Sequence, residues 1–239
     1  MAVVLAAGNG DRFPVPGRGS KLLQTVAGQP LILRTLETAR LGGISSAIVV
    51  LGYEAERLRI AIDEGAPPGM DISYALNDEW HLENGLSVLA ARPLVGRRRF
   101  ALLMGDHIFD PVVLDRLRHA PVYEDESLLA VDGRPMEPAA AAEATKVRLA
   151  GSQIVAIGKN LHPYDAFDTG LFVCAPVLFD ALDAARRDGD TTLSAGIGRL
   201  AERGLMQALD IDGATWCDID TASDLEAAES VLGAAVEPV

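Results

Sequence analysis

The chain has 239 residues, of which 49% are hydrophobic and 23% charged, and its net charge is −13. This length can bury the core of one domain, and so acidic a chain lacks the basic face that a general nucleic-acid binder needs. The two cysteines, Cys174 and Cys217, have no zinc or C-x-x-C spacing, and they fit free thiols in a reducing compartment. With no run as long as a membrane span and no signal peptide, the sequence predicts a cytoplasmic protein without a membrane segment.

Short apolar runs typical of buried strands alternate with helical patterns along most of the chain. This rhythm predicts a three-layer α/β/α, Rossmann-like fold with a mostly parallel central sheet. The predicted strands cover 2–5, 46–51, 71–76, 100–104, 171–174 and 214–219. The predicted helices cover 31–43, 54–63, 85–91, 177–187, 193–203 and 221–232.

The middle of the chain has a different pattern. Residues 145–149 and 153–157 flank an Ala-Gly-Ser turn, which predicts a β-hairpin, and the preceding PMEPAAAAEA predicts a connection or a poor helix. We therefore expect a single domain over 1–233 with a small β insertion beside the sheet over 121–170. Residues 234–239 are expected to be a tail or the start of a linker.

The first strand runs directly into a glycine-rich turn, LAAGNGDR, at residues 5–12. A dinucleotide-binding turn would need a third glycine where Phe13 stands, and the later GRGSK lacks the order of a P-loop. A third possibility is a turn whose backbone amides bind the phosphates of an NTP, with Arg12 and Lys21 neutralising charge. For the glycine motif taken alone, a solvated surface turn is the competing interpretation.

Acidic side chains follow two other strand-like runs. Asp106, in MGDH, stands at the carboxyl end of a predicted parallel strand, where ligands usually bind. Asp218 and Asp220, in TWCDIDT, are two residues apart and should face the same side of a strand. Converging carboxylates need a cation, so we expect a Mg²⁺ site at these three aspartates, although a turn or a helix cap explains each one separately. The neighbouring His107 is expected to pack or to form a hydrogen bond.

The segment ENGLS and the hairpin region contribute further polar groups. Asn84, Gly85 and Ser87 can present a polar edge to a nucleobase, or they can simply begin a helix with Asn84 as its cap. Lys146 and Lys159 suit a phosphate-bearing acceptor, although lysines of this kind often only protect a sheet edge.

The pattern L-A-A-G-x-G-x-R followed by a lysine resembles the signature of nucleotidyltransferases that join an NTP to a phosphorylated acceptor. The segments MGDH, ENGLS, EATKVR, IGK, DTG and WCDIDT are together similar to the L-myo-inositol-1-phosphate cytidylyltransferases, and the similarity extends from residue 2 to about 233. One difference is that the family usually has proline before the lysine, where this chain has Ser20.

The resemblance implies a GT-A-like fold and a Mg²⁺-dependent transfer of a cytidylyl group from CTP to inositol 1-phosphate, with release of pyrophosphate. Many relatives carry a membrane-embedded CDP-alcohol phosphotransferase domain after this one, so coupling to such an enzyme is also implied. One alternative is the same transfer to another acceptor: phosphocholine, a phosphonate or a sugar 1-phosphate. The other is a non-catalytic nucleotide-binding module.

The resemblance also implies roles for individual residues. Arg12, Lys21 and Asp106 are expected to be catalytic. The nucleotide is expected to contact Leu5, Ala6, Ala7, Gly8, Gly10, Asn84, Gly85 and Ser87. The acceptor is expected to contact Lys146, Lys159, Asp168, Thr169 and Gly170.

Overall fold

The structure is a computed structural model, and it describes residues 1–10, 13 and 19–234. Its strands, in chain order, are β1 Ala2–Ala6, β2 Thr25–Val26, β3 Gln29–Pro30, β4 Ser46–Leu51, β5 Asp71–Leu76, β6 Phe100–Met104, β7 His107–Phe109, β8 Ser127–Asp132, β9 Lys146–Ala150, β10 Gln153–Gly158, β11 Ala166–Cys174, β12 Met206–Asp210 and β13 Trp216–Asp218. Its helices are α1 Leu31–Leu41, α2 Ala55–Gly65, α3 Gly85–Val95, α4 Pro111–His119, α5 Pro138–Glu143, α6 Val177–Arg187, α7 Leu193–Glu202 and α8 Ala222–Ala234. Within the described ranges, no helix is both long and apolar enough to cross a bilayer.

A nine-stranded sheet forms the centre of the described structure, in the order β5-β4-β1-β6-β11-β8-β12-β10-β9. Helices cover both faces, because alternate residues of a strand point to opposite sides. In β1, Val4 packs with residues of α1, α2 and α4 on one face, whereas Val3 packs with residues of α3, α6 and α7 on the other. The predicted three-layer α/β/α arrangement is therefore confirmed.

The direction of the strands changes across this sheet. The pairs β4–β5, β1–β4 and β1–β6 are parallel, as predicted, and their carboxyl ends meet at one edge. From β6 onwards the sheet is mixed, since β11 runs antiparallel to both β6 and β8. The apolar runs of these strands are alike, and the sequence pattern therefore did not reveal the change of direction.

The segment predicted as an insertion beside the sheet belongs to the sheet, which corrects the prediction for 121–170. Strand β8 is fully buried and lies between β11 and β12. The predicted hairpin exists as β9 and β10, with Gly151 at a positive φ in its turn, but it is part of the sheet, since β10 pairs with β12 and β9 pairs with the start of β11. The strand predicted at 214–219 is β13, which pairs with β7 in a separate two-stranded ribbon.

Candidate active site

A buried lysine forms the centre of the candidate active site. Lys21 begins a 3₁₀ turn that Ser20 caps, and its Nζ donates hydrogen bonds to Asp106 Oδ2 at 2.7 Å and to Asp220 Oδ1 at 3.0 Å. The three residues come from distant parts of the chain. Two of them, Lys21 and Asp106, lie at the carboxyl edge of the parallel strands, where the sequence predicted a ligand site.

The ribbon of β7 and β13 sets the positions of the two carboxylates. Asp106 stands in the tight turn between β6 and β7, and Asp220 follows β13 by two residues. The ribbon pairs His107 with Asp218, and the amide of Ile219 donates to the carbonyl of Asp106 at 3.0 Å. Backbone pairing therefore brings both Asp106 and Asp220 within hydrogen-bonding distance of Lys21.

The charges of this group stabilise one another. Burial alone would lower the pKa of Lys21, but its contacts with Asp106 and Asp220 outweigh burial and raise it. Burial alone would raise the pKa of Asp106, but hydrogen bonds from His107 and Lys21 outweigh burial and hold the pKa well below its ordinary value. The contacts among Lys21, Asp106 and His107 therefore keep the Asp106 carboxylate and the Lys21 ammonium ionised at neutral pH.

His107 orients the Asp106 carboxylate from behind. Its Nδ1 lies 2.9 Å from Asp106 Oδ1, and its ring stacks on Trp216 with centroids 6.4 Å apart. Trp216 Nε1 donates to the buried Asp132 at 2.8 Å, and Asp132 is also paired with Arg134 at 2.8 Å. The expectation that His107 packs and forms a hydrogen bond is confirmed, and a satisfied polar network supports its ring.

A cleft of about 1480 Å³ opens above this centre. Its floor includes Gly8, Gly10, Lys21, Asp106 and Asp220, so the glycine turn and the carboxylates share one cavity. The walls come from four segments: the loop between β5 and α3, the residue before β9, the end of β10 with the loop after it, and α7 with the residue before it. They include Trp80, His81, Glu83, Asn84, Thr145, Gly158, Lys159, Asn160, Thr192, Ser194, Gly198, Arg199 and Glu202.

The glycine turn lies beside the lysine. Gly10 has a φ of +64°, and a Cβ there would come within 3.0 Å of Lys21 Cβ, so both the backbone and the close approach require glycine. Gly8 has open space where its Cβ would be. Arg12, the predicted partner of Lys21, lies outside the described residues.

Most of the other predicted nucleotide contacts lie behind the cleft surface. Asn84 lines the cleft, but its Oδ1 accepts from Leu193 N at 2.9 Å and does not cap α3. A Cβ on Gly85 would approach the Thr191 carbonyl oxygen to 2.5 Å, so packing against that loop requires this glycine. Ser87 is buried and accepts a hydrogen bond from Asn77 at 2.9 Å. In the described structure, Leu5, Ala6 and Ala7 are part of β1 or its end and do not line the cleft.

The predicted acceptor residues divide in the same way. Lys159 is exposed and lines the cleft. Lys146 is only 3% exposed, and its Nζ donates to the carbonyls of Ala144 and Lys159, which corrects the expectation that it faces the acceptor.

Asp168, Thr169 and Gly170 are also outside the cleft lining that the described residues form. Thr169 donates to the carbonyl of Ala130 at 2.8 Å, and a Cβ on Gly170 would come within 2.6 Å of His107 Nε2. Burial raises the pKa of Asp168 to about 6, and its Oδ1 accepts from the Gly170 amide. These residues are packed against the centre rather than available to an acceptor.

Asp218 is not gathered with the other two aspartates. It is exposed on β13, opposite His107, and among the described residues no group of three or more His, Cys, Asp and Glu side chains is close enough to hold a metal ion. The donor set that the structure provides is therefore the pair Asp106 and Asp220. This pair already surrounds a cation, the Lys21 ammonium, and two carboxylates plus substrate phosphates are a common donor set for Mg²⁺.

Sequence reasoning missed the α7 wall and the aromatic wall. Ser194, Arg199 and Glu202 are on one helix that was predicted only as a helix, and together with Ala195 and Gly198 they recur at a helical spacing along the cleft. That spacing was a usable signal, but no local pattern indicates which partner a helix face will meet. The Trp80 ring packs at a tilt against Tyr53, with ring centroids 5.3 Å apart, and it lies in a loop from which only the following ENGLS was singled out by sequence.

Comparison with known proteins gives consistent results. Residues 2–166 match the MobA-like NTP transferase domain. A protein from Rubrobacter xylanophilus named "Bifunctional IPC transferase and DIPP synthase" is 39% identical over 97% of the chain, and one of the same name from Aquifex aeolicus is 30% identical over 97%. The chain spans about half the length of these relatives, 51% in both cases.

A more distant relative differs in the compound it is named for. A Streptomyces rubellomurinus protein named "CMP-5'-(3-aminopropyl)phosphonate synthase" is 38% identical over 58% of the chain and is matched over 22% of its own length. Among solved structures, the inositol-1-phosphate CTP transferase from T. maritima superposes with a TM-score of 0.83 at 24% identity, covering 99% of this chain and 97% of that one. At that identity the likeness shows the fold, which is the nucleotidyltransferase fold expected from the sequence.

Proposed function

The chain belongs to the MobA-like NTP transferase family, and from this premise we propose that it transfers a cytidylyl group from CTP to inositol 1-phosphate. One observation carries the proposal: Asp106 and Asp220 meet at Lys21 on the floor of a cleft that also contains the first glycine turn. The names of the full-length matches and the motif resemblance support inositol 1-phosphate and CTP as the substrates.

The reaction requires little acid–base chemistry from the protein. A phosphate monoester has a second pKa of about 6, so the acceptor is mostly a dianion at neutral pH and can attack without a general base. A new bond forms between an acceptor oxygen and the α-phosphorus of CTP, the bond to the bridging oxygen breaks, and pyrophosphate carries away the electron pair. Catalysis then depends on positioning and on charge neutralisation.

Asp106 and Asp220 are the residues that would hold Mg²⁺. A bound Mg²⁺ supplies charge neutralisation for the phosphates of the substrate. Lys21 and His107 keep Asp106 ionised and correctly turned toward this position. In this assignment Asp218 is a neighbour of the site, since it lies on the exposed strand beside it.

The remaining cleft residues divide between the two substrates. The amides of Gly8 and Gly10 suit the triphosphate, and the predicted role of Arg12 there stays a prediction. The wall formed by Trp80 and Asn84 suits the nucleoside, because a ring and an amide offer stacking and hydrogen bonds. Lys159, in the loop after β10, suits the acceptor phosphate.

A pyrophosphate-release assay tests the function. CTP, UTP, ATP and GTP are each paired with inositol 1-phosphate, 3-aminopropylphosphonate, phosphocholine and glucose 1-phosphate, with Mg²⁺ or with a chelator. We expect release with CTP and inositol 1-phosphate in the presence of Mg²⁺. Asp106→Asn should lower kcat by about 10²–10³-fold, whereas the exposed Asp125→Asn should leave it unchanged.

The phosphonate is the strongest alternative acceptor, because the Streptomyces rubellomurinus relative is named for such a product. Preference for the phosphonate would reject the acceptor proposed here but keep the cytidylyl transfer. Full activity of Asp106→Asn would reject the carboxylate pair as the reaction centre. Because the full-length matches are named as bifunctional and are about twice as long, we also propose that the product is consumed by a CDP-alcohol phosphotransferase.

A further inference from the structure

The chain contains three lysines and 18 arginines, and all three lysines are at this site. Lys21 holds the carboxylates and Lys159 lines the cleft, but Lys146 is buried beside the cleft, does not line it, and donates its hydrogen bonds to backbone carbonyls. We propose that Lys146 is a positioning residue, which fixes the two backbone segments that present Thr145 and Lys159 to the acceptor. The identity of the acceptor rests on the proposed function, whereas the positioning role rests on the contacts of Lys146 itself.

The ammonium of Lys146 joins two segments of the cleft wall. Its Nζ donates to the Lys159 carbonyl at 2.7 Å and to the Ala144 carbonyl at 2.9 Å. Lys159 and Thr145, the residue after Ala144, both line the cleft. Hydrogen bonds from a charged donor are about twice as strong as neutral ones, so this ammonium ties the loop after β10 to the segment just before β9.

The surroundings of Lys146 hold its side chain in place. Its backbone pairs with Gly158 on one side and with Phe167 on the other, so β9 is fixed between two strands at this residue. Its Nζ lies 5.8 Å from the ring centroid of Tyr164, within the range of a cation–π contact. The Tyr164 ring packs in turn against Phe167 at 5.2 Å.

Burial distinguishes this lysine from one that only protects a sheet edge. Removing an ammonium from water is costly unless hydrogen bonds compensate, and at 3% exposure these two carbonyls and the ring provide the compensation. An apolar side chain would fill the same space without that cost. The ammonium therefore fixes the separation between the Ala144 and Lys159 carbonyls, which an apolar side chain cannot do.

The first test is amide hydrogen exchange, which does not depend on activity. Lys146→Met should increase exchange in 144–145 and 158–161 by about tenfold or more, because a charged hydrogen bond no longer opposes local opening. Exchange in α1, on the far side of the sheet, should be unchanged. The matched control is Arg148→Met, which removes an exposed cation from the same strand. Unchanged exchange in 158–161 would overturn the proposal.

The second test separates positioning from direct contact. With CTP and inositol 1-phosphate, Lys146→Met should raise the acceptor KM by about tenfold and leave the CTP KM within about twofold, and Lys146→Arg should restore most of the loss. In the Lys159→Ala background, Lys146→Met should add less than about twofold, since both changes then remove the same contact. Independent effects that multiply would show that Lys146 contacts the acceptor itself and would overturn the proposal.

The two tests also separate this inference from the proposed function. If no acceptor supports pyrophosphate release in the wild-type protein, the proposed function fails, and the exchange measurement alone decides the role of Lys146. If release occurs but exchange in 158–161 is unchanged by Lys146→Met, the function stands and the positioning role is rejected.

Discussion

Replacing Lys21 by methionine removes the ammonium that two carboxylates share and keeps the length of the side chain. The lysine side chain is 8% exposed, and those of Asp106 and Asp220 are 27% and 24% exposed. Breaking a buried ion pair by removing one partner costs about 3–5 kcal/mol. Because both carboxylates keep some contact with water, we expect the lower end of that range, a loss of about 3 kcal/mol in the free energy of unfolding.

For a chain of this size, each kcal/mol changes the melting temperature by about 2–4 °C, so Lys21→Met should melt about 6–12 °C lower in the presence of a chelator. Adding Mg²⁺ should recover part of this loss, because a carboxylate pair without its ammonium binds a divalent ion in the folded state only. Thermal melts followed by circular dichroism, with chelator and with Mg²⁺, measure both effects, and Arg148→Met again serves as control. Equal melting temperatures of Lys21→Met and wild type in chelator would refute the reasoning.

Two further predictions concern the layer behind Asp106. Gly170→Ala should lower the free energy of unfolding, measured with urea, by about 1–3 kcal/mol and should also reduce kcat. The reason is that alanine at this position would have a φ of +74° and a Cβ 2.6 Å from His107 Nε2. A variant as stable as the wild type would contradict this prediction. Burial raises the pKa of Asp168 from 3.8 to about 6, so the folded protein binds this proton more tightly than the unfolded chain and loses stability as pH rises through that interval. Asp168→Asn should remove this slope, which amounts to about 2.4 kcal/mol between pH 4 and 7 in the free energy of unfolding measured with urea, and an unchanged slope would count against the assignment.

The elements that were predicted best are the ones whose local pattern and final environment agree. Strands β4, β5 and β6 begin and end where the apolar runs do, and α6 matches its predicted bounds. Strand β8 was missed although it is as apolar, because the surrounding proline, glycine and acidic residues suggested an irregular insertion. Strand direction and order depend on packing between distant segments, which a periodicity cannot encode.

The candidate site was predictable where chemistry is tied to a strand end. Lys21, Asp106 and Asp220 converge as expected, because strand ends and the ribbon bring them to one edge. Gly85 was expected to contact a nucleobase, but in the structure glycine is needed there because a side chain would collide with the Thr191 carbonyl. Lys146 was assigned to the acceptor because two lysines at the rim of an acidic protein suit a phosphate, and only the tertiary structure shows that Lys146 is buried.

The convergence of Lys21 and Asp220 across 199 positions also determines when this site can exist. A nascent chain that has left the ribosome up to β12 already has the glycine turn, the lysine and the first aspartate, yet it lacks the second carboxylate and the strand that aligns it. The site therefore cannot form until β13 and the residues up to Asp220 have been synthesised. A chain truncated before β13 would lack Asp220, and therefore the complete site, but it would keep most of the residues of its hydrophobic core.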